Sequence, residues 1–254
     1  MNGDAGQIQR QPHAVLDTAS RRLKALKIEK LLDLNPGAGP IRMLEIGCGV
    51  GGISHYFATH PELECEVDAV DVVDLRQLSD GYRFTRVSGT ALPFPDASFD
   101  IVITNHVIEH VGDRASQAHH LSEVRRVMKN GGRGYLAVPN RWQLVEPHYG
   151  LAFLSWLPRS LRTPYLKFMG KGQFYDCEPL TVPELEALLF QAGFGFENVC
   201  VPAARLTLTL ERPTAVLTNL VQVIPEAWLG MSRRIIPTLI YTLHRLQRTS
   251  PPQR

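Results

Sequence analysis

A glycine-rich segment is the first part of this sequence whose residue types could build a binding site. It reads Leu44-Glu-Ile-Gly-Cys-Gly-Val-Gly-Gly52 and follows a short apolar run. Glycines allow a sharp backbone turn and close approach of a ligand, and amide groups at the start of a following helix can face a polar or anionic group. Gly47, Gly49 and Gly52 also fit the GxGxxG pattern of dinucleotide enzymes, which is weak evidence by itself.

Two acidic residues indicate which chemical groups that ligand would carry. Glu45 stands just before the first glycine, where a carboxylate could balance a ligand with positive charge, such as a sulfonium with an α-amino group. Asp71 ends the next predicted strand, at roughly the 20-residue spacing at which an acid accepts hydrogen bonds from ribose hydroxyls. Asp68 and Asp74 are nearby rivals for the ribose role.

Three histidines are candidates for moving a proton, which is the commonest catalytic task of imidazole. His106 stands just beyond a predicted strand, His110 stands at the start of the helix that follows, and His148 lies further along the chain. Glu146 is a carboxylate alternative. Glu146 and His148 could also belong to a metal site, but the sequence suggests no third ligand, so no metal site is predicted.

Predicted strands and helices, which would position these residues, alternate along the chain from Arg42 onward. Predicted strands cover residues 43–46, 67–73, 84–87, 100–104, 134–138 and 237–243. Predicted helices cover residues 18–34, 53–58, 121–128 and 183–192, the last with a capping box from Thr181 to Glu184. This alternation predicts an α/β fold with a parallel sheet and helices on both faces.

Residues 141–180 interrupt the alternation with many aromatic side chains and prolines. The segment follows the fifth predicted strand, so it begins at the carboxyl edge of the sheet, where open α/β sheets bind ligands. We expect a helical, aromatic lid that holds a small-molecule acceptor. The alternative is a helical cover that only packs.

Composition limits the classes of function and partner. The 254-residue chain has a net charge of +2, too small to imply nucleic acid as a partner. Its four cysteines form no CxxC pair, so neither a zinc site nor a disulfide framework is suggested. We find no signal peptide and no membrane span, and predict a cytoplasmic location.

A single domain over residues 1–254 is the expected organisation. Residues 1–34 would form a tail and a cap helix, 35–140 the cofactor-binding core, 141–180 the lid, and 181–254 the C-terminal half of the sheet. The stretch from Arg205 to Arg248 is amphipathic. It could serve as a homodimer face or a peripheral membrane contact, or it could complete the sheet.

Four segments, in order, resemble the class I S-adenosylmethionine-dependent methyltransferases, especially the UbiE/UbiG-like group. They are Glu45–Gly51, Gly89–Asp100 (GTALPFPDASFD), Ile101–Val111 (IVITNHVIEHV) and Met128–Asn140. The resemblance covers about Arg42 to Asn140. It implies a Rossmann-like, doubly wound, mostly parallel seven-stranded sheet. It also implies S-adenosyl-L-methionine as cofactor and S-adenosyl-L-homocysteine as product.

The resemblance carries roles over to matching residues. Those placed around the methionine part of the cofactor are Glu45, Gly47, Gly49 and Gly51, and Cys48 in the same turn is also counted among the cofactor-binding residues. Asp71 would bind the ribose, and Thr90 and Ala91 would flank the adenine. Asn105 and His106 would lie near the sulfonium and the incoming substrate. Thr90 departs from the pattern, because many relatives have an acid there that holds the adenine amino group, although threonine can still accept a hydrogen bond.

The activity expected from these features is methyl transfer to a small molecule, with O-methylation of a sugar, phenol or lipid-linked acceptor preferred. One alternative is an NAD-type oxidoreductase that uses the same glycines, and another is a cofactor-binding partner subunit without catalysis. A nucleic-acid methyltransferase is disfavoured. It would often carry an Asn-Pro-Pro-aromatic motif, whereas this chain reads Thr104-Asn-His-Val107.

Overall fold

The computed structural model describes residues 18–37, 39–211 and 236–246. Its strands are β1 (Ile41–Ile46), β2 (Cys65–Asp71), β3 (Arg83–Arg86), β4 (Phe99–Asn105), β5 (Met128–Pro139), β6 (Val145–Glu146), β7 (Leu151–Ala152), β8 (Phe194–Asn198) and β9 (Thr238–Arg245). Its helices are α1 (Thr18–Leu31), α2 (Gly52–Ala58), α3 (Arg114–Val127), α4 (Arg159–Phe168), α5 (Val182–Gln191) and α6 (Cys200–Glu211).

Seven strands form one sheet in the order β3-β2-β1-β4-β5-β9-β8. Strands β1 to β5 pair in parallel, and β9 runs antiparallel between β5 and β8. Helices flank this sheet: α1 packs against α2 and α6, and α3 packs against α5. The predicted Rossmann-like, mostly parallel seven-stranded architecture is therefore confirmed.

The strand order reverses between β1 and β4. After β1 the chain adds β2 and β3 on one side, and it then returns to add β4 on the other side of β1. In the register of this pair Glu45 lies beside Ile103 and Ile46 beside Thr104, so both strands end at the same edge. Such a switch point opens a crevice at the carboxyl ends of the strands, where ligands of open α/β sheets bind.

The inner strands are apolar because helices cover them. The last four residues of β1 are buried, and β4 is buried at every position except Asp100. Fully buried side chains of the core include Phe57, Phe99, Tyr135, Phe194 and Tyr241. Burial on both faces explains why these strands read as continuous apolar runs rather than as alternating patterns.

The lid segment leaves and rejoins the sheet at one point. Asn140 bridges to Leu180, and the Arg141 amide donates to the Leu180 carbonyl at 3.0 Å. Between these ends lie the β6–β7 hairpin, a short 3-10 helix and α4. The segment has its own small apolar cluster, made of Tyr149, Leu151, Leu154, Leu166, Tyr175 and Cys177.

Several predicted boundaries are wrong. Helix α3 begins at Arg114 rather than at residue 121, because Asp113 caps it by accepting from the Ser116 amide at 2.9 Å. Residue 128, predicted as the last of that helix, instead begins β5, which starts six residues earlier than the strand predicted over 134–138. The predicted capping box of α5 is confirmed, with Thr181 and Glu184 bonded reciprocally.

Two predicted features lie wholly or largely outside the described residues. They are the N-terminal tail and most of the amphipathic stretch from Arg205 to Arg248, of which α6 and β9 are described. None of the helices in the described ranges combines the length and the apolar character that crossing a bilayer requires.

Candidate active site

The glycine turn after β1 forms the floor of the crevice. Gly47, Gly49 and Gly51 all adopt positive φ, at 75°, 52° and 82°. A Cβ on Gly47 would collide with the Val107 side chain, and one on Gly51 would meet the carbonyl of Leu78. Gly47 and Gly51 therefore need glycine both for the backbone conformation and for space, and Gly49 for the backbone conformation.

Asp71 holds this turn in place from the end of β2. One carboxylate oxygen, Oδ2, accepts from the Gly49 amide at 2.9 Å, and Oδ1 accepts from the Val72 amide at 2.7 Å. Oδ1 also accepts a longer hydrogen bond from the Val73 amide at 3.4 Å, and because a carboxylate has about four acceptor sites, capacity for a ribose hydroxyl remains. Asp71 thus lies against the glycine turn, and its ribose-binding role stays a prediction.

The two rival acids are engaged elsewhere. Asp68 accepts from the Arg83 guanidinium at 2.8 Å within β2 and β3. Asp74 is exposed and forms an ion pair with Arg76 at 2.8 Å. These pairings favour Asp71 as the ribose acceptor.

Glu45 is buried at the end of β1 and accepts a short hydrogen bond from the Ser54 hydroxyl of α2. Burial raises the pKa of Glu45 to about 7, although the Ser54 hydrogen bonds and the charge of Arg21 act in the opposite direction. A cation bound beside this carboxyl would favour its ionised form. Glu45 thus lies in a setting that suits the predicted role, while Cys48, in the same turn, is buried with its thiol pKa raised by burial.

The residues predicted to flank the adenine lie after β3. Ala91 is exposed, and the Thr90 hydroxyl lies 2.6 Å from Nδ1 of His119 on α3. The next amide, that of Leu92, donates to Glu123 at 2.8 Å, which ties this loop to α3. His119 is a polar neighbour of the predicted adenine position that the sequence analysis missed.

Asn105 and His106 end β4 opposite the glycine turn. Asn105 is buried, whereas His106 adopts a positive φ of 58° and donates its amide to the Ala137 carbonyl at 2.8 Å. A residue with a side chain keeps this conformation only where its surroundings fix it, and such positions cluster at active sites.

A buried carboxylate orients the His106 ring. Glu109 is fully buried, and its Oε1 lies 3.2 Å from His106 Nδ1. Burial lowers the pKa of His106, although the hydrogen bond and charge of Glu109 oppose that shift. The arrangement keeps the imidazole neutral, with the carboxylate selecting the tautomer protonated at Nδ1.

Helix α1 contributes basic side chains to this region. From the sequence it was predicted only as a cap helix, with no part in the site. Burial lowers the pKa of Lys24 to about 8, aided by the charges of Arg21 and Lys27 and opposed by that of Glu109. Arg21 lies against the glycine turn, since a Cβ on Gly52 would stand 2.7 Å from Arg21 Cβ. The basic residues between the apolar positions of α1 were the only feature of the sequence that could have indicated this contribution.

The lid brings His148 to His110. Their rings meet at 5.0 Å between centroids, and the Cys177 sulfur lies 3.7 Å from His110 Nδ1 and 3.8 Å from His148 Nδ1. Glu146, fully buried, lies with Oε1 2.6 Å from His148 Nδ1. The third potential metal ligand, which the sequence did not suggest, is therefore supplied by the fold.

Opposing influences act on His148. Burial lowers the pKa of His148. The hydrogen bond that its ring makes to Glu146, together with the charges of Glu146, Glu109 and Asp176, outweighs burial and raises the pKa overall. His148 is thus more readily protonated than His106. The three predicted histidines form one chain of contacts, because Glu109 Oε1 also lies 4.0 Å from His110 Nε2.

Comparisons with known proteins agree with this geometry. A family model described as a methyltransferase domain matches residues 44–136. A ubiquinone biosynthesis O-methyltransferase from a Ruegeria species is 30% identical over 177 residues, which cover 63% of this chain and 62% of that protein. Norajmaline N-methyltransferase from Rauvolfia serpentina is 33% identical over 100 residues, 36% of this chain and 34% of that protein.

Among solved structures, phosphoethanolamine N-methyltransferase 2 from Haemonchus contortus, in complex with S-adenosyl-L-methionine, has a TM-score of 0.55 at 16% identity. The match covers 87% of this chain and 52% of that one, and it shows the fold. The chain spans less than two thirds of the length of each of these proteins.

The fold is Rossmann-like, and the switch point of its sheet is the place where open α/β sheets bind ligands. With the sequence matches, the comparisons support a class I S-adenosylmethionine-dependent methyltransferase. The comparisons likewise support S-adenosyl-L-methionine as the cofactor. The positive-φ glycine turn and the buried carboxyl of Glu45 beside it suit a ligand that carries an amino group and a sulfonium.

Proposed function

We propose that this protein transfers a methyl group to an oxygen of a small-molecule acceptor held between the end of β4 and the lid. The observation that carries the proposal is the His106–Glu109 pair, a partly accessible imidazole backed by a buried carboxylate at the switch point. S-adenosylmethionine supplies an already activated methyl group when bound. The remaining tasks of the protein are to hold both reactants in line, exclude water and take up a proton.

His106 is the general base in this proposal. With Nδ1 donating to Glu109, the Nε2 lone pair can accept the acceptor's hydroxyl proton. The lowered pKa keeps the ring unprotonated at neutral pH, so it is ready to accept a proton. Glu109 stabilises the imidazolium that results.

His148 is the weaker candidate for the same role. Its Nδ1 already contacts Glu146 at 2.6 Å, its side chain is 10% exposed against 24% for His106, and its pKa is raised. His110 is similarly enclosed, between Glu109, His148 and Cys177. These contacts support His106 as the residue that reaches the acceptor.

A hydroxyl on an aromatic ring or sugar is the acceptor class we favour. Trp142 and Trp156 of the lid meet edge to face at 5.6 Å and are both partly exposed, so they offer an apolar surface for a ring. A phenol, with a pKa near about 10, needs only modest help from a base. The O-methyltransferase among the relatives supports oxygen as the accepting atom.

The test is transfer of isotopically labelled methyl from S-adenosylmethionine into fractionated small molecules from cell extract. We expect label in a fraction that contains phenols, sugars or lipid-linked hydroxyl compounds. With that acceptor, His106→Asn should lower turnover by roughly 10²- to 10⁴-fold, the usual contribution of a general base. Cofactor affinity, measured by calorimetry, should not change.

His244→Asn is the matched control, because His244 is exposed on β9. It should turn over as the unaltered protein does. Full turnover in His106→Asn together with loss in His148→Asn would transfer the base role to His148. A protein that binds the cofactor but labels no fraction would contradict the proposed function itself.

A further inference from the structure

Three side chains with metal-binding atoms meet where the lid touches the sheet. His110 comes from a second 3-10 helix, Ile108–His110, which follows β4. His148 comes from the β6–β7 hairpin, and Cys177 from the end of the lid. One atom from each lies within 4.8 Å of the other two. Cys177 is buried and both histidine side chains are nearly so, at 15% and 10% exposure.

The spacing of these atoms suits tetrahedral zinc. Bonds of about 2.3 Å to sulfur and about 2.0 Å to nitrogen, at tetrahedral angles, place the two ligand atoms about 3.5 Å apart. The Cys177 sulfur lies 3.7 Å from His110 Nδ1 and 3.8 Å from His148 Nδ1. A zinc ion would therefore need shifts of only a few tenths of an ångström in these pairs.

A buried carboxylate stands behind His110, as carboxylates do around zinc ligands in general. Glu109 Oε1 lies 4.0 Å from His110 Nε2, the nitrogen that does not face the sulfur. Glu109 is fully buried, and its Oε2 has no hydrogen-bond partner among the described residues. Glu146 Oε1, next to His148 Nδ1, is the nearest oxygen for a fourth coordination position.

The charge of the surroundings also favours a dication. Glu109 and Glu146 are buried, and Asp176 Oδ1 lies 3.6 Å from the Cys177 sulfur. Several carboxylates in one enclosed place repel each other unless a cation compensates them. Thiolate and imidazole together select zinc over magnesium or calcium, which prefer oxygen ligands.

We propose that His110, His148 and Cys177 bind one zinc ion that fastens the lid to the end of β4. On binding, the Cys177 thiol releases its proton to solvent and the sulfur lone pair forms the bond, with no change of oxidation state. His110 and His148 each bind through the lone pair of neutral imidazole nitrogen. The site does not depend on the methyl acceptor or on the base proposed above.

The first experiment measures zinc in the full chain after chelator treatment, addition of one equivalent of zinc chloride and gel filtration. Elemental analysis should give close to one zinc per chain. Cys177→Ser should lose nearly all of it, whereas Cys65→Ser, which alters a partly buried cysteine in β2, should keep it. Zinc retained by Cys177→Ser, or absent from the unaltered chain, would overturn the proposal.

A second experiment uses cobalt(II) as the probe, because sulfur–cobalt bonding gives an intense near-ultraviolet absorption and tetrahedral geometry gives visible bands. We expect both in the unaltered chain, loss of the charge-transfer band in Cys177→Ser, and weak binding in His148→Gln. Circular dichroism checks that the variants fold. If Cys177→Ser does not fold, the His148→Gln titration decides: unaltered cobalt affinity and spectrum would refute the site.

Discussion

The imidazoles of His110 and His148 meet edge to face, with 5.0 Å between their centroids. One ring belongs to the turn after β4 and the other to the lid, so this contact closes the lid against the switch point of the sheet. The Glu178 amide, at the far end of the lid, donates to the Glu109 carbonyl at 2.7 Å in the same turn. The lid therefore contacts the end of β4 at two positions.

Asp71→Asn should weaken cofactor binding. The Asp71 carboxylate holds the Gly49 amide at 2.9 Å and is placed to accept from ribose hydroxyls. Loss of a charged acceptor costs roughly 1–3 kcal/mol, or about fivefold to 150-fold in the dissociation constant. Calorimetric titration with S-adenosylhomocysteine measures this. Asp74→Asn, at an exposed acid paired with Arg76, is the control and should bind normally.

Gly49→Val should abolish cofactor binding in a chain that still folds. Gly49 has a φ of 52°, a region that a β-branched residue adopts only with strain, and its amide bonds to Asp71. Gly131→Val is the matched control, because Gly131 has no positive φ and a Cβ there would meet open space. Normal binding by Gly49→Val would separate the glycine turn from the cofactor site.

Affinity for S-adenosylmethionine should fall as the pH drops below about 7, the pKa of buried Glu45. A cationic ligand binds the ionised carboxylate, so acid favours the free form and binding near neutral pH releases a proton. The groups that act on Glu45 are Ser54, Arg21 and Asp71. Titration in buffers of different ionisation enthalpy counts the released protons.

Glu45→Gln should bind more weakly, and the part of the proton release that Glu45 supplies should vanish. Glu64→Gln, at an exposed position, should keep the pH dependence of the unaltered protein. An unchanged proton count in Glu45→Gln would mean that another group titrates on binding. For the free protein the sign is reversed: a raised pKa lowers the free energy of unfolding as the pH rises from 4.5 through about 7.

Leu154→Ala should loosen the lid and leave the sheet intact. Leu154 is fully buried in the small apolar cluster of the lid, and such truncations cost roughly 2–5 kcal/mol. Hydrogen exchange should speed up at the Gly150 and Phe153 amides, which bond within the lid. Leu161→Ala, 51% exposed on α4, should have little effect. Equal acceleration in β1 and β4 would show that the lid and sheet unfold together.

Much of the cofactor-binding half could be predicted because its information is local. A buried parallel strand, a glycine turn and an acid at the next strand end are contiguous in sequence, and the structure places Glu45, Gly49 and Asp71 together. The capping box at Thr181 is local in the same way. Helix α3 was predicted to start too late because its first turns are polar and only the Asp113 cap marks them.

The lid side of the site could not be predicted in the same way. Cys177 reaches His110 and His148 through the fold of an irregular segment, so no spacing in the sequence indicates that they meet. Lys24 was missed for a related reason, because periodicity places it on a helix but not next to Glu109. Contacts between segments far apart in the chain are fixed by packing rather than by local pattern.

Titration of the purified full chain with S-adenosylmethionine, S-adenosylhomocysteine and NAD tests the central assignment most directly. We predict one site per chain that binds the first two in competition, and no binding of NAD. The glycine turn, Glu45 and Asp71 account for that selectivity, because NAD lacks the amino acid part that Glu45 would face. Binding of NAD, or failure of the folded chain to bind either sulfur nucleoside, would contradict the account.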